Sequence, residues 1–265
     1  MKRANRDLVI IAGLVVLLDG APPASAQTAP SLGAAQTYAV LGGSTVTNTG
    51  PTIIGGDLGL SPGTSITGFP PGVVTGTIHA ADAAALSAQN SLITAYNSVV
   101  SQACTQDLTG QDLGGKTLTP GVYCFSTSAQ LTGGLTLNGQ GNPAAVFIFK
   151  IGSTLTTASG ASVVMTNSGS QCNVFWQVGT SATIGTSTAF AGNILALSTI
   201  TATTGASVIG RTLARNGAVT LDTNSVTPAT CAVPVPTLPQ GFMVLLALGL
   251  AWAGCLRLRR RGRTD

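Results

Sequence analysis

Three stretches of the chain repeat one pattern of small, hydroxylated and apolar residues. They are STLTTASGASV at residues 153–163, STITATTGASV at residues 198–208 and GAVTLDTNSV at residues 217–226. A fourth stretch, SATIGT at residues 181–186, fits with a slip of one residue, and the last two spacings are 17 and 19 residues. A period of this size, with one short strand per repeat and tight turns, predicts a β-solenoid whose coils stack on one another.

One apolar position recurs in every repeat and predicts which side chains face the core. It is occupied by Leu155, Ile184, Ile200 and Val219. Because side chains alternate along a strand, the neighbours of these residues should point to solvent. The outward candidates on or beside the predicted strands are Thr154, Thr156, Thr183, Thr186, Thr199, Thr201, Thr203 and Thr220.

These threonines predict a solenoid face without charge, and two interpretations are open. Threonine favours strands, so the face could simply be solvated. Solenoid faces that meet only water usually carry charged residues for solubility and edge protection. A flat array of threonines instead pairs a methyl with a hydroxyl at each position, which suits a surface that orders water into a lattice. This arrangement favours binding to ice through the threonine candidates.

The net charge of +4 comes from the two ends of the chain. Residues 27–232 contain no glutamate, and their charges nearly cancel, leaving a net charge of −1. The cations of this segment are Lys116, Lys150, Arg211 and Arg215, and the anions are Asp57, Asp82, Asp107, Asp112 and Asp222. Such a segment offers no basic footprint for a phosphate backbone, so we expect no nucleic-acid partner.

The N-terminus has the layout of a secretory signal peptide. Lys2, Arg3 and Arg6 precede an apolar run from Leu8 to Leu18, and the small residues of the segment 24–26 provide a cleavage site. The alternative, a first transmembrane helix, is disfavoured because the run is shorter than the ~20 residues that a span needs. We therefore predict a signal peptide at residues 1–26 and export of the domain 27–232.

The C-terminal segment 233–265 predicts contact with a membrane. An apolar stretch, Gly241–Leu256, is followed by a cluster of five arginines, the pattern of a stop-transfer helix held with its arginines inside. Together with Pro236-Thr237-Leu238, this tail resembles the IPTL-type C-terminal sorting signals of Gram-negative bacteria, which implies display at the cell surface or secretion. The alternative is a plain C-terminal membrane anchor. In either case we expect the membrane to be contacted only through this tail.

Four cysteines fall in the predicted exported domain, and an even number in that setting favours disulfides. They are Cys104, Cys124, Cys172 and Cys231. Spacing does not fix which of them pair, and we favour Cys104–Cys124 and Cys172–Cys231 because these are neighbours along the chain. The absence of a C-x-x-C motif disfavours a metal or redox site.

One segment, at about residues 80–100, departs from the strand pattern and predicts a single long helix. It is rich in alanine and free of glycine and proline. Its apolar residues Leu86, Leu92, Ile93, Tyr96 and Val100 fall near helical spacing. We expect this apolar face to pack against a sheet.

The few groups capable of chemistry predict structural roles. His79 is the only histidine, and it precedes the predicted helix beside an aspartate, where it should belong to the helix cap. Asp107 and Asp112 lie in a glycine-rich turn, which favours turn formation over acid–base chemistry or calcium binding. Arg211 and Arg215 are expected to face solvent or to cap an edge. We therefore predict no enzyme, no cofactor and no metal.

Several motifs together resemble the DUF3494-type ice-binding family of bacteria and fungi. They are YAVLGGSTVTNTG at 38–50, GDLGLSPG at 56–63, GTIHAAD at 76–82, LTPGVY at 118–123 and GNILA at 192–196. The resemblance extends from about Leu32 to Thr227. It implies a discontinuous right-handed β-solenoid of triangular section with one long α-helix alongside. Thr201-Ala202-Thr203-Thr204 also matches the family's loose Thr-Ala/Gly-X-Thr/Asn pattern.

The leading hypothesis is therefore a monomeric, exported protein that adsorbs to the surface of an ice crystal. The resemblance implies thermal hysteresis, inhibition of ice recrystallisation or anchoring of cells to ice. A surface adhesin or structural protein without affinity for ice is the alternative. A polysaccharide lyase or hydrolase on a β-helix is disfavoured, because such enzymes need clustered charged groups in a groove.

Overall fold

The computed structural model describes residues 27–231, a mainly β structure with parallel sheets and one long helix. The helix α1 spans Ala83–Val100, and short 3₁₀ turns span Gly33–Thr37 and Gln171–Asn173. The strands are β1 (Tyr38–Gly42), β2 (Thr45–Thr49), β3 (Ile53–Ile54), β4 (Asp57–Leu60), β5 (Ser65–Thr67), β6 (Val73–Val74), β7 (Ile78–Ala80), β8 (Gln106–Asp107), β9 (Thr117–Leu118), β10 (Gly121–Phe125), β11 (Ala129–Leu131), β12 (Gly134–Asn138), β13 (Phe147–Ile151), β14 (Leu155–Thr157), β15 (Ser162–Thr166), β16 (Val174–Val178), β17 (Ala182–Ile184), β18 (Ala189–Ala196), β19 (Ile200–Ala202), β20 (Ser207–Ala214), β21 (Val219–Asp222) and β22 (Ser225–Thr227).

Two predicted segments lie outside the described residues: the signal peptide 1–26 and the tail 233–265 with its apolar stretch. The chain divides into two compact units after Ala229, and every strand and helix named above belongs to the first. Between residues 27 and 231, no helix combines the length and apolar character needed to cross a membrane.

The strands form a 15-stranded and a 7-stranded parallel sheet, built by coils that stack as a solenoid. The larger sheet contains two rows of paired strands. The helix-covered row runs β8-β10-β13-β16-β18-β20-β1-β4-β7, and the open row runs β9-β12-β15-β18-β20-β22-β3-β6. The long strands β18 and β20 pass through both rows. The smaller sheet runs β11-β14-β17-β19-β21-β2-β5.

The stacking order is discontinuous in sequence, as the family resemblance implied. The first coil stacks on the last, because β1 pairs with β20, β2 with β21 and β3 with β22. The chain then returns through α1, about 27 Å long, from β7 at one end of the helix-covered row to β8 at the other. The Gln89 amide of α1 donates hydrogen bonds to the carbonyls of Gly42 and Ala214, so it holds the helix across the β1–β20 junction.

The core contains a ladder of aromatic rings contributed by successive coils. Tyr123, Phe149 and Trp176 occupy the same register position on paired strands. The ring centroids of Phe149 and Trp176 are 3.8 Å apart, and Phe190 follows at 5.0 Å from Trp176. The Trp176 indole N–H donates to the carbonyl of Ala191 at 3.0 Å, so the ladder is fixed in orientation as well as packed.

The helix is found where it was predicted, but only part of its expected apolar face is buried. It begins at Ala83 because the Asp82 carboxylate accepts a hydrogen bond from the Ala85 N–H and caps the first turn. Leu92 and Tyr96 pack against the helix-covered row. The assignment of Leu86, Ile93 and Val100 to that face was wrong, since these three side chains are exposed. Buried alanines at 88 and 95 take their place, which lets the helix lie close to the sheet.

The predicted repeat register holds for three coils and is wrong for the fourth. Leu155, Ile200 and Val219 occupy one buried level of the smaller sheet, but the residue at that level in β17 is Ala182. Ile184 is also buried, two residues further along, where it pairs with Ala202. The outward position of Thr183 is unaffected, because it lies between these two buried residues.

The disulfide Cys104–Cys124 is confirmed, and it links the segment after α1 to β10. Cys172 and Cys231 are also disulfide-bonded. The pairing of these two with each other stays a prediction.

Below the outward threonines, a buried pair of hydroxyls fixes the turn that leaves the smaller sheet. The Thr157 hydroxyl lies 3.0 Å from that of Thr188 and accepts a hydrogen bond from the Gly185 N–H at 2.8 Å. Thr157→Val should lower the free energy of unfolding by about 1–3 kcal/mol, because it removes the acceptor of the Gly185 N–H and one of the two hydrogen-bond partners of the Thr188 hydroxyl.

Urea unfolding measures this loss, and the adjacent residue supplies the control. Thr156 points outward and is exposed, so Thr156→Val should change stability by less than about 0.5 kcal/mol. Equal unfolding midpoints for the two variants would contradict the role assigned to Thr157.

Candidate functional site

The smaller sheet presents a column of threonines to solvent. Each follows an inward-facing residue, and each is paired in register with its neighbours on adjoining strands. In stacking order, the outward residues are Gln130, Thr156, Thr183, Thr201, Thr220, Thr47 and Thr67. Six consecutive strands therefore repeat the same amphipathic side chain at the ~4.8 Å separation of paired strands.

A second column lies two residues earlier on the same face, again made of small side chains. Its members are Ser128, Thr154, Ser181, Thr199, Ala218, Thr45 and Ser65. Hydroxyls bond across strands within it: Thr154 donates to Ser128 and Thr199 donates to Ser181, both at 2.8 Å. We call the two columns together the threonine surface. The columns are ~6.6 Å apart along the strands, so the surface is a two-dimensional lattice of methyls and hydroxyls.

The structure brings most of the predicted site residues together. Thr156, Thr183, Thr201 and Thr220 lie in the first column, and Thr154 and Thr199 lie in the second. Thr186 and Thr203 lie instead in the turns that follow the sheet, where their hydroxyls are 3.3 Å apart. These turn residues border the threonine surface rather than forming part of it.

Three threonines of the threonine surface were missed by sequence reasoning: Thr45, Thr47 and Thr67. They come from β2 and β5, which join the sheet only because the first coil stacks on the last. The hydroxyl of Thr47 donates to that of Thr220, 173 residues away in sequence. The stretch STVTNT at 44–49 has the same alternation as the repeats, and it was the available signal.

Charge reaches the threonine surface only at its margins. Asp112 lies at one end of the first column, bridged to Gln130. Burial alone would raise the pKa of its carboxyl, but hydrogen bonds from Thr132 and Gly114 lower that pKa below its usual value. Asp222 lies at the far end of β21, where Thr204 and Thr223 donate to it. Both carboxylates are therefore engaged in turns, which leaves the lattice between them uncharged.

His79 belongs to the helix cap, as predicted. Its Nδ1 lies 2.7 Å from Oδ2 of Asp82, and in the described residues its imidazole hydrogen-bonds to Asp82 alone. Hydrogen bonds from the Ala85 N–H and from His79 lower the pKa of Asp82. The cap's contribution to stability is therefore present at neutral pH and is lost as the pH falls through the range in which Asp82 becomes protonated.

The expectation that Arg211 and Arg215 face solvent or cap an edge was wrong. Arg211 is 4 % exposed, and its guanidinium donates to the carbonyl of Gln36 and to Oδ1 of Asn193 at 2.6–3.0 Å. Burial lowers the pKa of this guanidinium. Arg215 lies over the ring of Tyr96 at 4.7 Å. Arg211 therefore ties the 3₁₀ turn at Gly33–Thr37 to β18, and Arg215 packs against the helix.

The acidic and metal-binding candidates have structural roles in this part of the chain. Asp107 accepts from the N–H and hydroxyl of Thr109, and Asp112 accepts from the Gly114 N–H, the pattern of aspartate turns. Across residues 27–231, no three histidine, cysteine, aspartate or glutamate side chains lie close enough together to hold a metal ion.

Comparison with known proteins gives a consistent picture. The model of the family described as Ice-binding-like matches residues 40–227. An ice-binding protein of Nostoc sp. (strain HG1) is 53% identical over 256 residues, which cover 94% of each chain. Ice-binding protein 1 of Shewanella frigidimarina is 36% identical over 234 residues, covering 76% of this chain and 26% of that protein.

Solved structures agree with the sequence comparison. The crystal structure of an ice binding protein from an Antarctic biological consortium superposes with a TM-score of 0.76 at 46% identity, covering 78% of this chain and 94% of that one. The ice-binding protein of the Antarctic ascomycete Antarctomyces psychrotrophicus superposes with a TM-score of 0.74 at 42% identity, covering 77% of this chain and all of that one. The chain therefore belongs to the Ice-binding-like family.

Proposed function

We propose that this protein binds ice, and that the threonine surface is the part of it that meets the crystal. The observation that carries the proposal is the register of Thr156, Thr183, Thr201, Thr220, Thr47 and Thr67 on six consecutive strands. Relatives named as ice-binding proteins, in bacteria and fungi, support the same function.

The chemistry of the surface explains how binding would work. Threonine methyls hold water in an ordered, clathrate-like layer, while the hydroxyls anchor that layer to the protein. The layer then merges with the crystal lattice. A rigid support is essential, because a flexible surface would lose entropy on adsorption. The stacked aromatic ladder and the bonded hydroxyls supply that rigidity.

We also propose the finer features of the molecule that this function implies. The parallel crossovers between coils should be right-handed, as nearly all such connections are, and the three rows of strands should enclose a triangular section. The signal peptide 1–26 would export a monomeric domain 27–232, and the tail 233–265 would hold it at the membrane or release it. Because the charged groups described above serve turns, caps and bracing, we propose no catalytic activity.

The purified protein should shape growing ice crystals and inhibit recrystallisation at micromolar concentrations. Ice-crystal microscopy and a recrystallisation assay measure both effects, with heat-denatured protein as the control. Protein adsorbed to a crystal face allows ice to grow only between the bound molecules, which slows growth of that face. Single crystals should therefore become faceted, and the grains in the recrystallisation assay should stay small. Round crystals that coarsen as freely as in buffer would refute ice binding and leave a surface adhesin as the better interpretation.

A further inference from the structure

The exposed side of α1 carries an apolar stripe with the seven-residue period of a coiled coil. Three large apolar side chains lie outside the contact with the sheet: Leu86 is 53 % exposed, Ile93 36 % and Val100 47 %. Successive members are seven residues apart, which places all three at the d position of a heptad. The a positions of the same heptads hold the exposed residues Ala83, Asn90 and Asn97. We call these six residues the helix seam.

The helix seam differs from the other exposed flank of α1, which carries the hydroxyls of Ser87, Thr94 and Ser98. Water alone accounts for a polar flank on a surface helix, but not for leucine, isoleucine and valine in register. Exposure of such side chains forgoes the free energy that burial would release. The side-chain amides of Asn90 and Asn97 also have no hydrogen-bond partner within residues 27–231. The helix seam therefore has both apolar and amide groups to offer to another molecule.

The absence of charge limits which molecule fits the helix seam. α1 contains no charged residue, whereas anionic lipid and nucleic acid are recognised through lysine and arginine. The tyrosine, tryptophan and arginine anchors of interfaces between unlike proteins are also absent from the helix seam. A second copy of this chain presents an equal, uncharged seam. Pairing of two copies would set apolar groups against apolar groups without repulsion between like charges.

The heptad positions favour a parallel pair of helices. In that orientation equivalent positions share a layer, so Leu86, Ile93 and Val100 would each pack against their own counterparts. Asn90 and Asn97 would likewise meet their counterparts, and an amide can both donate to and accept from another amide. Reversing one helix would instead set a positions opposite d positions. Asparagine amides would then be buried against apolar side chains without partners, which is costly.

We propose that the helix seam pairs with the helix seam of a second copy as a parallel, two-stranded coiled coil. Each seam contacts itself across a two-fold axis, the isologous arrangement of most homodimers. The helix is already ordered by its cap at Asp82 and by its packing on the helix-covered row. Association therefore does not include the entropic cost of forming a helix, which makes short coiled coils unstable when they are isolated.

The size of the helix seam makes this a weak pair. A single helix of 18 residues covers only part of the ~800 Å² per partner that a stable interface buries. Two asparagines at a positions lower the stability of the pair further, while they fix its register. The dilute domain is therefore monomeric, and it pairs where copies are concentrated. This inference is independent of ice binding.

Sedimentation equilibrium of the purified full-length chain, from micromolar to millimolar concentration, measures the pairing. Ile93→Lys sets two like charges in the central layer and should raise the dissociation constant of the pair at least about tenfold. Leu86→Lys repeats the test at a more exposed position should Ile93→Lys fold poorly. Ser98→Lys adds the same charge to the hydroxyl-bearing flank and should associate as the wild type does. Association through any other part of the chain is common to all these proteins and leaves this difference unchanged.

Cross-linking tests the orientation. In a parallel pair the two copies of Leu86 share one layer, whereas in an antiparallel pair centred on Ile93 they would lie ~21 Å apart along the helix axis. A disulfide needs Cα atoms within about 7 Å, so Leu86→Cys should give a covalent dimer under mild oxidation only in the parallel pair. Ser98→Cys is the matched control and should stay monomeric on non-reducing electrophoresis.

The outcomes are decisive and separate from the test of ice binding. Weakened association of Ile93→Lys and Leu86→Lys, together with a covalent dimer of Leu86→Cys, would support the pair. A wild type that stays monomeric at millimolar concentration would overturn it, and so would folded lysine variants that associate as Ser98→Lys does. Failure of Leu86→Cys to cross-link would refute the parallel arrangement. None of these results bears on recrystallisation inhibition, so the proposed function stands or falls by its own assay.

Discussion

Thr201→Tyr should reduce ice recrystallisation inhibition by about tenfold or more, the effect of losing at least ~1.4 kcal/mol of binding free energy. Thr201 lies at the centre of the threonine surface, paired with Thr183 on one side and Thr220 on the other. A tyrosine ring there would stand above the flat lattice and hold the neighbouring methyls away from the crystal. The loss of binding free energy should therefore exceed the contribution of one threonine, because threonines on several neighbouring strands lose contact with the ice together.

The stability of the variant decides whether this loss is one of binding. Thr201 is only partly buried, so the substitution should leave the circular dichroism spectrum and the unfolding midpoint close to those of the wild type. Thr94→Tyr makes the same chemical change on the helix and should retain full activity. A folded Thr201→Tyr protein with wild-type inhibition of ice recrystallisation would show that the protein contacts ice through a surface other than the threonine surface.

Gly210→Ala should lower the free energy of unfolding by more than about 3 kcal/mol, or prevent folding. Gly210 lies where β20 passes from the open row to the helix-covered row, with φ of +152°. A Cβ at this position would lie 1.9 Å from the carbonyl oxygen of Gly192, the residue that holds the equivalent position in β18. The Cβ is fixed directly to the backbone of residue 210, and the atoms it would meet belong to the backbone of Gly192, so no side-chain rotation can relieve the overlap.

Gly160→Ala is the control that separates the cost of the steric overlap at Gly210 from the ordinary cost of placing alanine at a positive φ. Gly160 has φ of +69°, and a Cβ there would meet no heavy atom within 4 Å. The cost of alanine at this position should be only the ~1–2 kcal/mol of a left-handed conformation. Urea unfolding of both variants measures the difference, and equal losses would contradict the close approach of the two strands.

The repeats predicted the threonine surface well where coils follow one another in the chain. In residues 153–222 the alternation identifies the outward threonine of each strand in the smaller sheet, although the core register of β17 was wrong, and neighbouring repeats stack directly. The contribution of Thr45, Thr47 and Thr67 could not be obtained in the same way. Periodicity compares adjacent segments, whereas β2 is joined to β21 by pairing over more than 170 residues, and β5 reaches the sheet only through β2.

Two other predictions, the buried face of the helix and the position of Arg211, were wrong for local physical reasons. Helical spacing assigned Leu86, Ile93 and Val100 to the buried face of the helix, but these side chains are exposed. Spacing alone cannot tell which side of a helix lies close to a sheet. The small alanines determine that side, since they allow the closer approach. Arg211 was expected to face solvent or to cap an edge, and isolated buried cations are indeed costly. Its burial is compensated by a backbone carbonyl and an amide oxygen, acceptors that a charge count does not reveal.

The pairing of the first coil with the last also determines when the threonine surface can come into existence. β2 ends at Thr49 and β21 begins at Val219, so synthesis of the intervening ~170 residues takes on the order of 10 s at ~5–20 residues/s. During that interval the inner edges of β1, β2 and β3 are without their partners. Folding therefore cannot progress coil by coil from the N-terminus, as in a simple repeat protein, and it depends on a late, long-range closure that makes it intrinsically slow. The surface is completed by nearly the last strands to be made, so a chain cut short before β21 would contain most of the threonines and no continuous array of them.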